Sequence, residues 1–128
     1  MKPKLLIAVY LIVLFFTVSA SAQTKPTVVK FAKGATSAVL SGSVKGYVYR
    51  DYVFTAKSGQ QFSVRLMSKN TALEFIIRNP AGENLNSGGA TWNDEITSGG
   101  RYVVRVMLPR AAARRGESAS YKLTIEIE

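Results

Sequence analysis

Neither histidine nor cysteine occurs in the 128 residues of this chain, and tryptophan occurs once. Without histidine the commonest general base and metal ligand is missing, and without cysteine there is no thiol nucleophile, no disulfide and no thiolate metal site. Acidic residues are scarce as well, 8 against 17 basic ones, for a formal net charge of +9. An oxygen-only cation site is the remaining metal option, and no calcium-loop pattern is visible. Asp51, Glu74, Asp94 and Glu95 are the carboxylates nearest to a glycosidase pair, but their spacing defines no pair at catalytic separation, and Asp94-Glu95 reads as part of a solvated loop. These absences point away from an enzyme and from any cofactor.

What is present at the N-terminus concerns the compartment. Lys2 and Lys4 precede the apolar run 5–18, and Ala20-Ser21-Ala22 supplies the small residues that a signal peptidase requires. The run is short for a bilayer span, which needs about 20 apolar residues. Residues 1–22 therefore read as a cleavable secretory signal, and the mature product is expected in a bacterial periplasm or outside the cell, with no stable membrane insertion. With no cysteine at the junction, a lipid anchor cannot be attached there. Residues 23–128 form one domain's length, with 15 basic and 8 acidic residues for a net charge of +7. Such a surface favours acidic partners, among them nucleic acid, anionic lipid or a carboxylate-lined cleft. Nucleic acid is not expected, because the aromatic signatures of RNA binding and the motifs of DNA reading are missing.

Along 23–128 the dominant hydrophobic period is two. Tyr121, Leu123, Ile125 and Ile127 alternate with Lys122, Thr124, Glu126 and Glu128, which predicts a strand with one wet face. The same alternation marks Phe62, Val64 and Leu66, and again Tyr102, Val104, Val106 and Leu108. Further strands are expected at 28–31, 37–44, 47–56 and 72–79, separated by turn chemistry at Lys57-Ser58-Gly59-Gln60 and Asn79-Pro80-Ala81-Gly82. Short strands punctuated in this way indicate an antiparallel sandwich or barrel. One segment departs from the pattern: Pro109-Arg110-Ala111-Ala112-Ala113-Arg114-Arg115-Gly116 has the grammar of a short helical turn.

The segment 98–115 is the most suggestive surface. Ser98-Gly99-Gly100-Arg101-Tyr102 opens it, Arg105, Arg110, Arg114 and Arg115 follow, and no acidic residue lies between Glu95 and Glu117. In a helical turn Arg110 and Arg114 stand at i and i+4 and point the same way, able to offer directional hydrogen bonds to carboxylates or sugar hydroxyls. A solvated basic loop kept for solubility fits the same spacing. The glycines can bring backbone amides close to a partner, or they can form a plain connection feeding a strand in which Tyr102 is a core aromatic.

Phe31-Ala32-Lys33-Gly34, Ser41-Gly42-Ser43-Val44-Lys45-Gly46-Tyr47, Tyr52-Val53-Phe54-Thr55-Ala56-Lys57-Ser58-Gly59-Gln60, then Ser98-Gly99-Gly100-Arg101-Tyr102, Arg105-Val106, Arg110, Arg114 and Tyr121 form a set of segments spread over nearly the whole of 23–128. Together they resemble the periplasmic inhibitors of g-type lysozyme found in Gram-negative bacteria. Ser98 to Tyr102 is similar to a Ser-Gly-x-x-Tyr motif shared by several families of bacterial lysozyme inhibitor, with one residue more than some members have. The resemblance implies an all-β antiparallel sandwich of about eight short strands whose protein partner is g-type lysozyme. It implies further that Ser98, Gly99 and Tyr102 belong to a loop inserted into the substrate cleft, and that Arg110, Arg114 and Tyr47 make or support contacts there. The stretch 79–95 resembles the family poorly. The segment 52–60 also resembles the C-terminal domains of secreted bacterial peptidases, which leaves a carbohydrate-binding or adhesive module, with Trp92 as a sugar-stacking residue, as the alternative.

Overall fold

Period-two alternation becomes two stacked sheets in the computed structural model, which describes residues 25–128. The proposed signal, residues 1–22, lies outside the described residues. The elements are β1 (Thr27–Val28), β2 (Ser37–Lys45), β3 (Arg50–Ala56), β4 (Gln61–Ser68), β5 (Glu74–Arg78), β6 (Thr91–Glu95), β7 (Gly100–Met107), α1 (Arg110–Arg114) and β8 (Ser118–Ile127). One sheet has the order β1-β3-β7-β5 and the other β2-β8-β4-β6. This is the all-β sandwich expected, with eight strands and one helical turn. Its ladders are antiparallel except for the first, where Thr27 and Val28 run parallel to Tyr52 and Val53.

Alternate residues of the strands meet between the sheets. Tyr102, Val104 and Val106 of β7 and Leu123 and Ile125 of β8 are buried, and Phe62, Phe75 and Ile77 are wholly inaccessible. Burying one such side chain stabilises the fold by about 1.5–3 kcal/mol. Phe62 sits at the centre of an aromatic group with Phe54, Trp92 and Tyr102, at ring separations of 5.0, 4.9 and 6.0 Å. Trp92 is thus half-buried core packing at the sheet margin, which removes the main support for a sugar-stacking role.

Three details differ from the sequence reading. Asp94 and Glu95 do not sit in a loop; they close β6, an edge strand whose register pairs Glu95 with Gln61 and Asp94 with Phe62. Polar side chains hid this strand because an edge strand buries little. Tyr47 is not in a strand, since β3 starts only at Arg50 and residues 46–49 turn between the sheets. The last strand begins at Ser118, three residues ahead of the clear alternation.

Near one end of the sandwich, the Tyr52 and Tyr121 hydroxyls face each other at 2.5 Å inside the core. Burial, and then the hydrogen bond to Tyr52, push the Tyr121 phenol well above its ordinary range, so it stays protonated. Gly42 of β2 lies against this pair: a Cβ there would stand 2.5 Å from the Tyr121 oxygen and 3.1 Å from that of Tyr52.

Candidate functional site

Strand register decides which of the expected site residues share a surface. Gly100 at the start of β7 pairs with Ala56, and Val106 near its end pairs with Arg50. At about 3.3 Å per residue, the eight residues of β7 span roughly 23 Å. Ser98 and Gly99 therefore lie at one end of the sandwich, beside the turn 57–60, where the Ser58 hydroxyl donates to the Thr97 carbonyl and the Gly59 amide to the Ile96 carbonyl. Arg110 and Arg114 lie at the other. Tyr47 joins the arginines, because the Gly46 amide donates to the Glu117 carbonyl at 2.9 Å and holds the β2–β3 turn against the segment after α1.

The expectation of one surface spanning 98–115 is corrected on this ground. Tyr102 is also no free contact: it is 2% exposed, and its hydroxyl donates to the Ser98 carbonyl at 2.6 Å, pinning the loop to the core. Of the two loop glycines only Gly100 has a positive φ, 140°, and a Cβ there would meet Pro80 at 2.9 Å. The loop is shaped by packing, with Ser98 and Gly99 exposed at its crest.

The opposite end is built on α1. Ala112 and Ala113 are buried, and Arg110, Ala111 and Arg114 are exposed. Gly116, at φ 71°, ends the helix: its amide donates to the Ala113 carbonyl and the Glu117 amide to the Ala112 carbonyl, a paired closure that needs a left-handed residue between them. Tyr47 stands 67% exposed on the neighbouring turn.

Charge at this end is sorted by pairing. Arg115 donates from Nε and Nη2 to Glu117, whose other carboxylate oxygen accepts from Asn70 at 3.1 Å. These bonds, Arg115 first, hold the Glu117 carboxyl below its ordinary range. Arg105 makes a two-pronged bond to Asp51 at 2.8 and 3.0 Å, and its guanidinium lies 3.9 Å from the centre of the Tyr49 ring. That bond, ahead of the opposing effect of burial, raises the Arg105 pKa and keeps the group charged. Asp51 is consumed as an ion-pair partner. These are the only two ion pairs among the described residues, so Arg110 and Arg114 carry charge with no carboxylate partner. Sequence reasoning missed Asp51 and Glu117 as the groups that neutralise Arg105 and Arg115. The Asp51–Arg105 contact depends on a register invisible in the chain, whereas the spacing Arg115-x-Glu117 was there to be seen.

No family model matches the chain. An inhibitor of g-type lysozyme from Escherichia coli (strain K12) is 30% identical over an alignment of 138 residues that covers all of both chains. The chain belongs to the g-type lysozyme inhibitor family. A crystal structure of a periplasmic inhibitor of g-type lysozyme from Aeromonas hydrophila superimposes with a TM-score of 0.75 at 32% identity, covering 81% of this chain and 96% of that one. The pre-peptidase C-terminal domain of a collagenase from Bacillus anthracis matches at a TM-score of 0.53 and 9% identity over 81% of this chain and 95% of its own. That likeness shows the sandwich alone and carries no function. The members of the inhibitor family are not enzymes. Among the described residues no three carboxylates gather to hold a metal, and no helix is long and apolar enough to cross a membrane.

Proposed function

We propose that this protein is a periplasmic inhibitor of g-type lysozyme that docks its α1 end over the substrate cleft. The observation that carries the geometry is the pair Arg110 and Arg114, unpaired and on one exposed face of α1 beside Tyr47, while Asp51 and Glu117 are each already bound to another arginine. A lysozyme holds a catalytic carboxylic acid in a groove shaped for a sugar chain. An arginine entering that groove pairs with the carboxylate and excludes the glycan at once. Tyr47 supplies an amphipathic surface that packs and hydrogen-bonds in the same contact.

One cleft receives one end of the sandwich. The arginine end is assigned to it, with Ser98 and Gly99 outside the contact and Tyr102 acting through the fold. Residues 1–22 are assigned as the export signal. The test titrates the exported protein, whose intact mass reports cleavage after Ala22, into g-type, c-type and i-type lysozymes and follows peptidoglycan lysis. Inhibition of the g-type enzyme is expected, and inactivity against it sinks the proposal. Arg110→Ala and Arg114→Ala should each weaken binding by about 2–5 kcal/mol if the charge is desolvated in the cleft. Full inhibition by both of these and by Tyr47→Phe, with the fold intact, would remove this end from the site.

A further inference from the structure

Arg50 opens β3 on the face that sends Tyr52 and Phe54 into the core, and it emerges where the sandwich ends. Its Nε donates to the Ser43 carbonyl at 3.2 Å, tethering the guanidinium to β2, a strand with a neighbour on one side only. No carboxylate among the described residues pairs with it. The two terminal nitrogens have no hydrogen-bond partner among the described residues. Arg50 lines a groove of about 410 Å³ together with Ser43, Lys45, Val48, Ser118 and Ser120, with no acidic residue in its walls. Val48 is 44% exposed and adjoins Tyr47 in the same turn, so the groove continues the surface assigned above.

We propose that Arg50 is a second anchor of that surface, receiving an aspartate or glutamate side chain from the rim of the lysozyme cleft. The inference rests on the docking of the α1 end to lysozyme. A carboxylate is the fitting occupant because two cations flank the groove and nothing within it neutralises them. The anchor needs arginine in particular: with Nε already engaged, the fork is oriented before the partner arrives, and less side-chain freedom is lost on binding. Lys45 adds attraction at longer range, and Val48 packs against the stem of the entering side chain. Arg110 and Arg114 have no comparable tether.

The test measures association and dissociation of immobilised g-type lysozyme with the wild type, Arg50→Lys and Arg50→Gln. Both variants are expected to dissociate about 30-fold faster or more, because lysine keeps the charge and loses the fork. Wild-type dissociation of Arg50→Lys overturns the anchor, since charge alone then suffices. Thermal melting checks the fold. Should either variant unfold, Val48→Glu places a repelling carboxylate in the groove and must give the same loss, and its absence overturns the proposal too. Arg110→Ala in the same assay separates the two readings: a loss there with none at Arg50 removes only the second anchor, whereas wild type that does not bind g-type lysozyme removes both.

Discussion

Replacing Gly42 with alanine adds one methyl group to a site with no room for it. The new carbon would lie 2.5 Å from the Tyr121 oxygen, 2.8 Å from its ring carbon and 3.1 Å from the Tyr52 oxygen. Tyr121 cannot swing away cheaply, being 5% exposed within a close-packed core. Two costs follow. Overpacking of this kind destabilises by about 1–3 kcal/mol. Parting the tyrosine hydroxyls leaves a buried group without its partner, a further penalty of about 1–3 kcal/mol. Partial relaxation makes the two overlap, so a total of about 2–4 kcal/mol is expected, a large share of the roughly 5–15 kcal/mol typical of a domain. The midpoint of thermal unfolding should fall by roughly 10–25 °C, at about 4–8 °C per kcal/mol for a domain near this size. Calorimetry on Gly42→Ala, Tyr121→Phe and the double variant forms the assay. Tyr121→Phe alone strands the Tyr52 hydroxyl, but combined with Gly42→Ala it removes the nearest clashing atom, so the double variant should be more stable than the sum of the singles predicts by at least about 1 kcal/mol. A Gly42→Ala protein within about 0.5 kcal/mol of wild type, or a strictly additive cycle, refutes the packing argument.

Tyr102→Phe removes the hydroxyl bonded to the Ser98 carbonyl and should cost about 0.5–1.5 kcal/mol in a urea titration, with inhibition of lysozyme unchanged. Lost inhibition by a folded variant would return the Ser98 loop to the binding surface. The Glu117 carboxyl, held down by Arg115 and then Asn70, should titrate by NMR below the ordinary value of 4.5 and move up toward it in Arg115→Ala. Because the folded value is depressed, whatever stability this contact adds is present above the unfolded carboxylate's range and is lost as pH falls through the folded value. A midpoint at or above 4.5 in the wild type contradicts the pairing.

Strands that bury one face announced themselves in the sequence, since alternation at 62–66, 102–108 and 121–127 is a direct trace of that burial. The helical turn was equally legible, because Pro109 and Gly116 mark its limits and Arg110 and Arg114 share its exposed face. The edge strand β6 was not, as it has a neighbour on one side only and its polar residues stay exposed, so no burial alternation marks it. The placement of the site divided in the same way. Closeness in sequence suggested that Ser98 and Arg110 cooperate, but between them runs a strand, and a strand carries its two termini as far apart as its length allows. Tyr47, distant in sequence, comes to α1 because β2 and β3 are neighbours of β8 and β7. The role of each arginine was hidden for a further reason: charge counting weighs five guanidiniums alike, and only the register of Asp51 with Arg105 and the reach of Glu117 to Arg115 show which are spent.

The position of α1 bears on how tightly such an end can bind. It connects β7 to β8, and each of these strands has a neighbour on both sides, β7 between β3 and β5 and β8 between β2 and β4. A five-residue turn held between two central strands, closed by its own backbone bonds and seated on Ala112 and Ala113, has little backbone freedom left to lose. Association is costly mainly through lost motion, so a rigid platform leaves more of the contact energy for affinity. Only the side chains of Arg110 and Arg114 remain to be ordered, at about 0.5–1.5 kcal/mol each. That cost is small beside the 2–5 kcal/mol or so that a desolvated charged contact commands. The same arginines on a mobile loop would also have to order their backbone, at about 1–2 kcal/mol per residue, and over the eight residues from Pro109 to Gly116 that expense of roughly 8–16 kcal/mol would match or exceed the roughly 4–10 kcal/mol that two such contacts return.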